Sequence, residues 1–184
     1  MTDDRPAFQN MKTWRAVRAF TDEPVSRDDL RHLIRAARWA PSAGNRRIHK
    51  FVVVDERDII EKIRDVAPGM LGHPAAIIVI CTDKEKAVAE GVKLALDTTT
   101  WIDVGAAAQN IMLAAHELGL GACPLTSFSR AGVRALLRLS GRLEPEYIVQ
   151  LGHRAPETRV LQAGVSLRLP IEDISFWGAF PEET

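Results

Sequence analysis

Between Thr100 and Leu118 the chain runs without proline, and Asp103 and Glu117 are its only formally charged side chains there. Ile102, Ala106, Ile111, Leu113 and Leu118 recur at helical spacing, and Gly119 and Gly121 follow as stop signals. This predicts one long helix, on the order of 30 Å from end to end. Its row Gly105, Ala106, Ala107 and Ala108 has almost no side-chain bulk, so another backbone can approach closely. That neighbour is either the chain's own sheet or a second subunit.

Around this helix the pattern alternates between short β-branched runs and amphipathic stretches. Lys50 to Val54, Ala75 to Thr82, Ala122 to Thr126 and Tyr147 to Leu151 read as strands or extended segments. Ser26 followed three residues on by Asp29 resembles a capping box, and it opens a helix from Arg27 to Trp39 that Pro41 terminates. Further helices are expected over Met11 to Val17, Glu56 to Val66, Lys84 to Leu96 and Ser129 to Leu139, with residues 1 to 10 as a loose arm. Past Arg154 the chain carries Pro156, Pro170 and Pro181 with Phe176, Trp177 and Phe180, a composition suited to an arm that docks on something.

Composition narrows the function classes. The chain has 184 residues, 46% apolar, with 24 basic and 24 acidic side chains. One globular domain is the expectation, and the balanced charge removes the electrostatic case for nucleic acid or an anionic membrane. A neutral surface also favours self-association. Cys81 and Cys123 cannot form a disulfide framework and are expected as reduced thiols in the cytoplasm. The start MTDDRPAFQN does not read as a secretory signal, and no apolar run reaches the length of a membrane span.

The usual catalytic arrangements are missing. His32, His49, His73, His116 and His153 show no metal-ligand spacing, and the sequence has no nucleophile elbow, phosphate loop or G-x-G-x-x-G. Polar and basic residues instead gather where elements meet: Arg15 and Arg18, the loop Pro41 to Asn45 with Arg46 and Arg47, the segment Gly119 to Phe128, and Arg168 before Pro170. Each has an ordinary explanation when taken alone.

Taken in order they resemble the nitroreductase family of FMN-dependent oxidoreductases, in its short single-domain form. The matching segments are Trp14-Arg15-Ala16-Val17-Arg18-Ala19-Phe20, then Ala40-Pro41-Ser42-Ala43-Gly44-Asn45 before the Phe51 to Val54 run. Next come Asp103, Gly105, Ala107, Gln109 and Asn110 on the long helix, with Gly119-Leu120-Gly121 at its end. Last is Ser166-Leu167-Arg168-Leu169-Pro170 with a Trp-Gly close. The resemblance implies an α+β sandwich over residues 1–184. A mixed, mainly antiparallel sheet is flanked by helices, and the long helix lies at a dimer interface.

It also implies FMN as cofactor. Arg15, Arg18 and Arg168 would hold the phosphate, Ser42 and Asn45 the ribityl chain and ring edges, and Pro124 and Leu125 the floor of the ring, with Ala16 and Pro41 also in the cofactor site. The backbone N–H groups of Thr126 and Ser127 would face N5. Guanidinium forks suit a dianionic phosphate, and small hydroxyl and amide groups suit sugar hydroxyls. The family assembles as a homodimer with both flavins at the interface, and the C-terminal arm would dock on the partner.

The implied reaction passes a hydride from NAD(P)H through the flavin to an oxidised acceptor such as a quinone or nitroaromatic, in ping-pong fashion, without a side-chain dyad. Relatives that desaturate, dehalogenate or fragment the flavin offer an alternative, and a flavin-binding regulatory module offers one of another class. The chain departs from the family pattern at Trp14, Ala16 and Ser166, and has Arg47-Ile48-His49 where many relatives have Gln-Pro-Trp. Arg46 or Arg47 is therefore expected to supply the positive charge near flavin N1, and a lid is expected between Val66 and Thr100.

Overall fold

A computed structural model describes residues 5–93, 98–156 and 169–179. In chain order the elements are α1 (Pro6–Thr13), α2 (Arg27–Arg38), β1 (His49–Val54), α3 (Arg57–Asp65), β2 (Ala76–Asp83) and α4 (Lys84–Ala89), followed by α5 (Thr99–Glu117), β3 (Gly121–Leu125), α6 (Arg130–Leu136), β4 (Leu143–Gly152) and α7 (Ile171–Ile174). The four strands form one antiparallel sheet in the order β1-β2-β4-β3.

β2 sits at the centre of the molecule, with every residue buried. Its unbroken apolar run follows from its having helices on both faces. Ile78 and Ile80 point toward α2 and α5, where Leu33, Ile111 and Ala115 complete one core. Ile77, Val79 and Cys81 point the other way, toward Ile60, Ile63 and Val133 of α3 and α6. Truncating any of these isoleucines to Ala costs about 2–5 kcal/mol. The result is the expected α+β sandwich.

Capping signals set several ends. The Ser26 hydroxyl caps α2, accepting from the Asp29 N–H at 3.0 Å, and donates to the Asp29 carboxylate, so the expected box closes through the hydroxyl and not through the Ser26 N–H. Gly119 follows α5 at φ 76°, taking the left-handed position that lets a glycine stop a helix.

Four expectations need correction. The helix expected over Met11 to Val17 lies earlier, because Pro6 at the first turn starts it and residues from Pro6 onward are not a loose arm. After Thr13 the chain extends, and Ala16 forms an isolated parallel bridge to Ala122 on the outer edge of β3. That bridge supplies the mixed character of the sheet. The helix expected to run to Leu96 ends at Ala89, with Gly91 in the left-handed region at φ 75°. Residues 94–97 lie outside the described residues. A lid cannot take in the whole stretch from Val66 to Thr100, since that stretch contains the central strand. The last strand is also longer than Tyr147 to Leu151, reaching from Leu143 to Gly152.

Only part of the small-residue row on α5 packs on the chain's own sheet. Ala107 and Ala108 are buried on the chain's own core, whereas Gly105 is exposed and a Cβ there would meet nothing within 4 Å. Ile102, 67% exposed, and Trp101 share that outer region. Among the described residues, no helix is long and apolar enough to cross a membrane, and no group of His, Cys, Asp or Glu is arranged to hold a metal.

Candidate cofactor site

The sequence-predicted residues fall into two groups at opposite edges of the sheet. Arg15, Ala16 and Arg18 run beside β3, where the Val17 N–H donates to the Ala122 carbonyl at 2.9 Å. Pro41, Ser42, Asn45 and Arg47 form the loop that leads into β1. Three strand spacings separate the two edges, roughly 14 Å. Arg168 lies outside the described residues.

At the β3 edge, strand alternation decides which groups face outward. The Ala122 carbonyl bonds Val17 and so points away from β4. The two-residue period puts Pro124 and Thr126 in the same outward phase. Proline has no N–H to lose at an unpaired edge, so it is tolerated at that position. The Thr126 N–H is then the first free outward donor after Ala122. The Ser127 carbonyl accepts from the Gly69 N–H at 3.1 Å, a contact that leaves its own N–H untouched.

Two glycines absent from the sequence-based expectations close this half of the site. A Cβ on Gly72 would lie 2.1 Å from the Arg18 carbonyl oxygen, and one on Gly69 would lie 2.5 Å from Leu125 Cδ1. The 67–73 loop therefore packs against both the arginine segment and the end of β3. Its two glycines in four residues were the available signal, and no Asn or Lys accompanies them.

The arginines differ in freedom. Arg15 donates from one terminal nitrogen to the carbonyls of Lys12 and Trp14, at 2.7 and 2.6 Å. Arg18 is exposed and makes no hydrogen bond or ion pair with any described residue. Its charge is felt at Cys123, where burial pushes the thiol up and the guanidinium opposes that shift. Arg15 and Arg154 both act on His116, whose pKa is lowered mainly by burial and further by these two charges. Arg154 was not anticipated, and the pairing of Phe20 with Arg154 places it there.

At the β1 edge the loop is tightly wound. Gly44, Asn45 and Arg47 all have positive φ, at 59°, 54° and 50°. The Asn45 N–H donates to the Ser42 carbonyl, and Arg47 Nε donates to Asn45 Oδ1 at 2.8 Å. A cavity of about 110 Å³ lies beneath, lined in part by Ser42, His49, Phe51 and Asp103. Burial lowers the His49 pKa, opposed by the Asp103 charge and by a hydrogen bond to the Thr100 backbone.

These residues fit FMN. A guanidinium without a partner among the described residues suits a phosphate, an outward N–H follows a proline-leucine floor, and the second loop presents a hydroxyl and an amide. Their split across the sheet means that one chain does not bring both groups together.

The fold is an α+β sandwich built on a four-stranded antiparallel sheet. The chain matches the Nitroreductase family over residues 11–69 and 65–153, and it belongs to that family. It is 32% identical over 171 residues to an Archaeoglobus fulgidus protein named "Putative NADH dehydrogenase/NAD(P)H nitroreductase", covering 91% of this chain and 87% of that one. It is 28% identical over 160 residues to a Bacillus subtilis FMN reductase [NAD(P)H], covering 78% of this chain and 62% of that one. Among solved structures, an FMN-dependent nitroreductase from Clostridium difficile R20291 is similar with a TM-score of 0.76 and 26% identity, covering 94% of this chain and 99% of that chain.

Proposed function

We propose that this protein is an NAD(P)H-dependent FMN oxidoreductase whose two cofactor sites each form between two copies of the chain. The observation that carries this reading is the division of the donor set between opposite sheet edges. In a two-fold dimer, the β3 edge of one protomer would face the 41–47 loop of the other. The names of the similar proteins support the cofactor and the electron donor.

FMN, when bound, takes a hydride from NAD(P)H and delivers electrons to an acceptor such as a quinone or nitroaromatic. The chain's own groups bind and orient. Arg18, aided by Arg15 and Arg168, neutralises the phosphate. Pro124 and Leu125 give an apolar floor, and the N–H groups of Thr126 and Ser127 are the donors for the ring edge. Ser42 and Asn45 bond the ribityl hydroxyls. Arg47 belongs to the β1-edge group, so its charge would reach the ring only across the interface.

The exposed face of α5 and the exposed apolar groups of residues 169–179, among them Ile171, Ile174 and the 96% exposed Trp177, support the dimer and the docking arm. The unpaired, buried thiols of Cys81 and Cys123 support a reducing, cytoplasmic setting.

The test is the visible spectrum of the purified protein, followed by NADH and NADPH oxidation with a quinone or nitroaromatic. A yellow protein that turns over is expected. A colourless protein that takes up no FMN would remove the oxidoreductase reading, and uptake without turnover would favour the regulatory module.

A further inference from the structure

Asp103 and Asn110 take no part in the cofactor contacts above, yet both reach from α5 to the backbone of the segment that carries the second loop. Asp103 is 8% exposed, and its two carboxylate oxygens accept from the Ala43 N–H at 3.1 and 3.0 Å. Two turns further along α5, Asn110 Nδ2 donates to the Ala36 carbonyl at 3.1 Å. The last turn of α2 and the entry to the loop are thus fastened to one rigid helix at points about 10 Å apart along its axis.

The loop needs such a hold. Asn45 and Arg47 keep left-handed backbone angles, a conformation that non-glycine residues retain only where their surroundings over-determine it. Packing from below does not supply that, because a cavity of about 110 Å³ lies there. His49 Nε2 and Thr100 Oγ1 nearby are buried with no hydrogen-bond partner among the described residues. The tie at the loop's exit, from Lys86 Nζ to the Arg47 carbonyl at 3.0 Å, is solvent-exposed. The buried tie at the loop's entry is the Asp103 carboxylate.

We propose that Asp103 and Asn110 are positioning residues that clamp the Ala36–Ala43 stretch onto α5 and so preform the 41–47 loop for the flavin. This rests on reading that loop as the second wall of the FMN site. Neither residue touches the cofactor. A loop ordered beforehand loses less conformational freedom when the ligand arrives, so the clamp appears as cofactor affinity. Asp103 does this through an acceptor rather than through its charge, because what it satisfies is a single backbone N–H.

Two measurements test the clamp: amide exchange at Ala43 in the flavin-free protein, and FMN affinity by quenching of flavin fluorescence. Asp103→Ala is expected to speed Ala43 exchange and to weaken FMN binding, each on the order of tenfold. Asp103→Asn keeps an acceptor oxygen and is expected to restore both to within about threefold of the wild type. Asn110→Ala should move both in the same direction as Asp103→Ala. If Asp103→Ala does not fold, the other two variants carry the comparison, and unchanged FMN affinity in Asn110→Ala overturns the clamp. An Asp103→Asn variant as impaired as Asp103→Ala overturns it as well. Should the wild type bind FMN and Asp103→Ala bind it as tightly, the clamp fails while the functional reading stands. If the wild type takes up no FMN, both fall.

Discussion

Gly105 tests the proposed interface because the described residues of one chain offer no reason for it. It stands inside α5, and a Cβ there would find no atom within 4 Å. Glycine in a helix interior costs about 1 kcal/mol relative to alanine. In a lone protomer Gly105→Ala would therefore gain roughly 1 kcal/mol and raise the melting temperature by about 2–4 °C at this size. If the α5 faces of two copies meet at Gly105, each added methyl enters a close backbone approach. Overpacking costs about 1–3 kcal/mol per site, so two symmetric sites together cost roughly 2–6 kcal/mol, a weakening of dimer Kd of about thirtyfold or more. Sedimentation velocity across a dilution series measures the association, and urea melts at two protein concentrations separate folding from assembly. The expected variant dissociates at concentrations where the wild type remains dimeric. A variant that is more stable by about 1 kcal/mol and associates as the wild type does would remove this face of α5 from any interface.

Other consequences follow from single contacts. Gly72→Ala forces a Cβ to within 2.1 Å of the Arg18 carbonyl, where no flexible side chain can yield; urea melts should show a loss of about 2–4 kcal/mol, and wild-type stability would show that the two segments are not packed together. His49 is depressed by burial, so between its folded pKa and the unfolded value near 6.5 the unfolded chain binds more protons. Stability is then complete above about pH 6.5 and falls as the pH drops toward the folded value. His116, depressed mainly by burial, contributes with the same sign. His49→Gln should flatten this acid-side slope in melts from pH 7.5 to 5, and an unchanged slope would exclude His49 as its source. Burial pushes the Cys81 thiol up to about 12, with Glu146 and Glu144 adding to the shift, and Cys123 is raised too. A disulfide reagent at pH 8 should modify neither thiol in the native protein and both after unfolding, so rapid native reaction at either would contradict this burial.

Elements governed by local rules were legible in the sequence: the Ser26 cap, the Gly119 stop, the buried run of β2 and the length of α5 all rest on neighbours within a few residues. The N-terminal segment was misread because Pro6 is a weak local signal, while the extension after Thr13 is set by Val17 packing against β3 more than a hundred residues away. The glycines at 69 and 72 were passed over for a similar reason. What requires them is the approach of Leu125 and Arg18, which only the tertiary structure brings near.

The same difference in range explains why the site residues could be named but not placed. Order along the chain put Arg15, Ser42 and Thr126 in one list, and the strand order put the first and last on one edge of the sheet and the second on the other. With the Ala122 carbonyl turned toward Val17, Thr126 falls in the outward phase and Ser127 turns back to receive Gly69. Pro124 is what makes that edge serviceable, since it removes a donor midway between Ala122 and Thr126 and leaves the Thr126 N–H as the next outward donor.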